Sequence, residues 1–149
     1  MTIIKELLSN YILMTCAIAW AAAQIIKTLL NFFMTKTFSA ERLIGAGGMP
    51  SAHSAFVCSL AVSTGKRCGV ESPMFAIAAA LAVVVMYDAM GVRRAAGEQA
   101  KTINILTEAL ESTLGNPNLV TDELKEFLGH TPIEVIAGAL LGILIALIR

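Results

Sequence analysis

The sequence predicts an all-α fold: a polytopic membrane helix bundle with about four transmembrane spans and an amphipathic interfacial helical hairpin. Three observations predict it. Of the 149 residues, 56% are hydrophobic and 15% charged, where a soluble domain carries about 45–50% and about 25%. The apolar residues fall into four runs bounded by Gly, Pro and charge. Between the third and fourth runs, polar residues alternate with Ile103, Leu106, Leu110 and Leu114 at spacings of three and four, the mark of a helix with one apolar face. Residues 1–149 read as a single integral-membrane domain.

The first run, 11–33, is long enough at about 1.5 Å per residue to cross a hydrocarbon core of about 30 Å. Gln24 and Lys27 near its end, and the want of a clear small-residue cleavage site, mark it as a retained span rather than a signal peptide. A polar loop, 34–50, carries Lys36 and Arg42 and closes on Gly45, Gly47, Gly48 and Pro50. The second run, 51–64, reaches only about 21 Å as a helix, so its start is expected below the membrane surface or beside a broken segment. Gly65-Lys66-Arg67 is expected to stop it. The third run, 74–90, ends at Asp88 and Gly91. Residues 92–128 read as an amphipathic helix and a short second helix, divided by the turn at "LGNPN", 114–118. The last span, 132–148, carries Gly138 and Gly142 at the GxxxG spacing of close helix contact. That contact lies within one chain or between chains of a homo-oligomer.

Charge and cysteine usage exclude several function classes. Eleven basic residues balance 11 acidic ones, and no Lys/Arg tract points to nucleic acid. Cys16, Cys58 and Cys68 show no CxxC spacing and no histidine at metal-site spacing, so they read as small hydrophobes, with no metal site and no cofactor implied. The expected setting is a membrane, crossed several times, with membrane lipids as neighbours. The positive-inside rule does not orient the chain, because four cations near span ends on one side oppose four on the other.

Four crossings place His53, Asp88, Arg93, Arg94, His130 and Glu134 on one side, at helix ends. Ionisable residues at membrane depth are costly and point to function. Two histidines supply a nucleophile and a general acid. Arginines hold phosphate through charge-assisted hydrogen bonds. Helix starts near Pro50 and Pro132 aim backbone N–H groups at an anion. Glu134, one turn after His130, can orient its imidazole. Together these describe phosphoryl transfer through a phosphohistidine, with no metal required.

The residues "PSAH", 50–53, resemble the P-S-G-H motif of the type-2 phosphatidic acid phosphatases, relatives of the vanadium haloperoxidases. "HTPIE", 130–134, resembles that family's closing His-x-x-x-Asp, with Glu for Asp. The set "GGMPSAHS … YDAMGVRRAAG … LGHTPIEVIAG" looks most like the family's small divergent bacterial and plant branch, over nearly the whole chain, which implies a bacterial cell membrane as the setting. The resemblance implies His130 as nucleophile, Glu134 on its other ring nitrogen, His53 as proton donor to the leaving alkoxide and Ser51 on phosphate. Leu124 stands where the family has an arginine six residues before the nucleophile, which leaves Arg93 or Arg94 to replace it. The family's first motif, Lys-x6-Arg-Pro, is also absent. Lys36 and Arg42 are one residue too close and no Pro follows, and Lys27 is a further candidate for holding phosphate.

Each residue also has a structural reading. Thr131-Pro132-Ile133-Glu134 is a capping box, Ser51 a helix cap, Arg93-Arg94 a pair of snorkelling anchors, and Asp88 a partner for one of them. A protein that kept the fold and lost the chemistry, as a scaffold or a binder of lipid phosphates, is the alternative function.

Overall fold

The computed structural model describes residues 2–36, 48–114, 124 and 129–149. Every regular element among them is an α-helix: α1 (Thr2–Ser9), α2 (Tyr11–Thr35), α3 (Ala52–Cys68), α4 (Pro73–Met90), α5 (Val92–Leu114) and α6 (Pro132–Ile148). Local chemistry starts four of them. The side chains of Asn10, Ser51, Ser72 and Thr131 accept the backbone N–H of Leu13, Ser54, Phe75 and Glu134, satisfying donors that a helix start leaves over. Pro73 and Pro132 occupy first-turn positions where the missing N–H costs nothing.

The bundle is arranged for hydrocarbon rather than water. The largest fully buried side chains are Thr15, Cys16, Ser51, Ser54, Ser59 and Ser63, and the apolar core is alanine-rich, with Ala19, Ala23, Ala52 and Ala55 under Leu141 and Ile145. The large side chains face outward. On α6, Ile136, Leu140, Leu144 and Leu147 are exposed, while Val135, Gly138, Gly142 and Ala146 are buried. Where the solvent is itself apolar, helices associate through small residues and close packing, which is this pattern. By length and composition two stretches suffice to cross a membrane, Tyr11–Phe33 and one within Pro73–Thr113, with Pro132–Ile148 as a shorter apolar helix.

Helix α3 lies at the centre, against α2, α4 and α6. That position explains its weak hydropathy: its faces meet protein, so Ser and Thr take the place of Leu. Gly138 and Gly142 bring α6 so near that a Cβ on either would fall on the carbonyl oxygen of Ser51 or Ala55. The predicted pairing of these two glycines with another helix is therefore met inside the chain.

Two expected boundaries move and one helix is new. Gly65-Lys66-Arg67 does not stop α3, which continues to Cys68 and ends at Gly69 with φ +87°. The reason lies across the bundle. The Lys66 ammonium donates to the Ala146 and Leu147 carbonyls at 2.9 and 3.2 Å, capping α6 with a cation where its dipole favours one. Arg67 lies 4.2 Å over the Tyr11 ring and Arg149 5.4 Å from it, a cation–π pairing. Lys66→Met keeps the aliphatic stem and removes the donors. It should cost about 1 kcal/mol and speed amide exchange in the last turn of α6, measured by thermal unfolding and hydrogen exchange in detergent. Helix α2 runs to Thr35, two residues past the expected end. Helix α1 went unread in the sequence because it is a short amphipathic piece of about two turns ahead of a longer apolar run.

Helix α5 touches only α4 among the helices. Of the segment beyond it, Leu124 alone is described: its N–H donates to Asn104 Oδ1 at 3.1 Å and its carbonyl accepts from Asn104 Nδ2 at 2.9 Å. The chain thus returns to the middle of α5. The expected second helix of 92–128 lies outside the described residues.

Candidate functional site

The contacts of Lys66, Arg67 and Arg149 put the C-terminal ends of α3 and α6 beside the start of α2. At the other end, the Ser51 N–H donates to the Glu134 carbonyl at 3.0 Å and the His130 N–H to the Ala89 carbonyl at 3.0 Å. The starts of α3 and α6 and the end of α4 therefore meet. Helices α3 and α6 are parallel, and the positive ends of their dipoles converge. Helix α2, with 25 residues against 17 in α3, overshoots the start of α3 by on the order of 12 Å. The converging helix starts are thus recessed below the end of α2.

His130 is buried, while its ring centroid stands 6.4 Å from that of the exposed His53, the planes tilted by 60°. Its Nδ1 lies 3.0 Å from Glu134 Oε2, and the same oxygen accepts the Thr131 N–H at 3.1 Å. An oxygen already accepting an amide proton is an acceptor for the ring as well, which makes Nδ1 the donor and, in the neutral ring, puts the lone pair on Nε2. Nε2 makes no hydrogen bond to any described residue. The capping box and the orientation of His130 are thus one arrangement: a single carboxylate oxygen does both. Two rings with centroids 6.4 Å apart can both reach one group placed at their edges.

Residues 8–145 match the family model described as the divergent PAP2 family. The chain belongs to that family. A divergent PAP2 relative, the uncharacterized membrane protein YuiD of Bacillus subtilis (strain 168), is 40% identical over 151 residues that cover 96% of each chain. No solved structure matches. A divergent PAP2 membrane protein accounts for both the outward-facing apolar side chains and the paired histidine motifs.

In this divergent PAP2 chain the predicted site residues are brought together unequally. His53, His130, Glu134 and Ser51 meet at the converging helix starts, with Ser51 fully buried as the cap of α3, its Oγ also 3.0 Å from Ser54 Oγ. Lys27 joins them from α2: it is buried, and its stem lies against Gly48, where an added Cβ would stand 3.4 Å from Cγ. Lys36 is exposed as the C-cap of α2, a full turn and more beyond Lys27, with φ +54°. Arg94 is exposed in the first turn of α5, and Arg93 lies in the same turn with its side chain outside the described atoms. Arg42 lies outside the described residues. Leu124, at the place of the family arginine, is exposed and tied to Asn104. Sequence reasoning missed the Ala89 carbonyl, which fixes the His130 backbone; no residue type signals a contact made by main chain alone.

Proposed function

We propose that this protein is a multi-pass phosphatase of the bacterial cell membrane, hydrolysing a lipid phosphomonoester through a phosphohistidine on His130, without a metal. Helices α2, α3, α4 and α6 are its four spans, and α5 with the returning segment is the interfacial hairpin. The observation that carries the chemistry is the Glu134 Oε2 contact to His130 Nδ1, which leaves Nε2 as the nucleophile. Nε2 attacks phosphorus, the bond from phosphorus to the alkyl oxygen breaks, and His53 delivers a proton to that oxygen. Glu134 balances the positive charge the ring acquires. Water then attacks the phosphohistidine, releasing phosphate and restoring Nε2. Lys27, Ser51 and the helix starts, joined by Arg93, Arg94, Lys36 and Arg42 where they reach, hold the phosphate oxygens.

The test is phosphate release by protein in detergent from phosphatidate, phosphatidylglycerophosphate and polyprenyl phosphate, in excess chelator, with and without vanadate. Vanadate adopts the five-coordinate geometry of the transferring phosphoryl group and should inhibit. Glu134→Gln keeps the shape and removes the charge, so kcat should fall by about 10²–10³-fold with little change in KM. Absence of turnover on every substrate rejects the phosphatase. The exposed Leu124 in place of an arginine favours a second reading, a binder of lipid phosphates that keeps the fold without turnover. It predicts that binding, and not release, depends on His53 and His130.

A further inference from the structure

An apolar groove of about 480 Å³ opens between α2, α3 and α4 directly beneath His53. Its lining is Ala17 and Trp20 from α2, His53, Phe56 and Val57 from α3, and Val85 from α4. His53 alone among these is titratable. Phe56 and Val57 follow His53 at helical spacings of three and four, so one face of α3 leads from the histidine into the bundle. Ala17 and Trp20 are likewise one turn apart, and Val85 is one turn before Ala89, whose carbonyl holds His130. The groove therefore begins at His53 and descends into the bundle.

We propose that this groove holds the single hydrocarbon chain of a lipid phosphomonoester whose phosphate sits at His53 and His130, and that Trp20 and Phe56 determine which chain is accepted. The position of the phosphate rests on the phosphatase reading. The occupant follows from the lining. An apolar channel with one ionisable group at its head matches an amphiphile with an anionic end. Its volume is that of a small-molecule site, about 300–1,000 Å³. A volume of about 480 Å³ takes one long hydrocarbon chain and not two. Trp20 is 45% exposed, so its indole is a wall of the groove rather than a part of the core.

Trp20 is the only tryptophan in the chain, so its fluorescence reports the groove without background. The full-length protein in nanodiscs of unbrominated two-chain lipid is titrated with three probes brominated at mid-chain: a single-chain alkyl phosphate, the alcohol of the same chain, and a two-chain phosphatidate. Saturable quenching by the alkyl phosphate alone is expected. Val85→Phe and Ala17→Leu, which narrow the groove from two different helices, should each raise its half-saturation by about tenfold. Equal, unsaturable quenching by all three probes marks bulk lipid at Trp20 and overturns the inference, as does preference for the two-chain probe. Selective quenching without phosphate release from any substrate keeps the groove and rejects the phosphatase. Release of phosphate without selective quenching does the reverse.

Discussion

His130→Ala is expected to lower phosphate release by about 10⁴-fold or more, the loss seen when a covalent nucleophile is removed, while helix content and thermal midpoint stay near the wild-type values. The separation of the two effects follows from how His130 is held. Its link to α4 is a backbone N–H to the Ala89 carbonyl, which alanine retains. Glu134 keeps its capping bond from the Thr131 N–H, so the start of α6 survives the loss of the imidazole. Rapid quenching of wild-type protein with labelled substrate should trap a phosphoramidate, stable in base and labile in acid, that His130→Ala lacks. His53 makes a different prediction from the same geometry. As the proposed donor to the leaving alkoxide, it matters in proportion to how badly that group needs a proton. His53→Ala should therefore slow an alkyl phosphate much more than p-nitrophenyl phosphate, whose leaving group departs unaided. Undiminished release by His130→Ala would sink the phosphohistidine.

The sequence carried the membrane setting and the four apolar runs because lipid leaves a coarse signature: long stretches without charge. It carried His53, His130 and Glu134 because their motifs are short and local, each at the start of an apolar helix. What it did not carry are relations between distant segments. Lys66 looks like a stop signal in the linear chain, and only the arrival of the α6 carbonyls makes it a cap. Lys27 sits in the middle of an apolar run, and only the packing of α2 against α3 sets it beside Gly48. The groove below His53 needs three helices at once, and its residues, alanine, valine, phenylalanine and tryptophan, are indistinguishable in sequence from any lipid-facing set. The polar character of α3 was visible as serines, while its cause, burial among three neighbours, was not.

Gly142→Leu should destabilise the bundle by about 3 kcal/mol, near the upper end of what overpacking costs, and Gly138→Ala should lose activity before it loses the fold. Both follow from the α3–α6 contact. A Cβ on Gly142 meets the Ala55 carbonyl oxygen, together with its carbon and Cα at 2.9 Å. All three are backbone atoms, so no rotamer change relieves the clash and the helices must part. Parting them forfeits the close packing on which helix association in an apolar solvent depends, and the weak Cα–H···O contacts that such approach allows. Gly142 lies deep in the bundle, away from the histidines, so its effect is read as a lowered midpoint of unfolding in detergent. Gly138 faces the Ser51 carbonyl, and Ser51 is the residue whose N–H binds the Glu134 carbonyl at 3.0 Å. Pushing α6 away from Ser51 with even one methyl group moves His53 relative to His130, and a misplacement of about 1 Å can cost 10²-fold in rate. Gly138→Ala is therefore expected to lower kcat by about that factor with a smaller fall in midpoint than Gly142→Leu. Equal sensitivity of activity and stability at both positions would show that the two glycines serve packing alone.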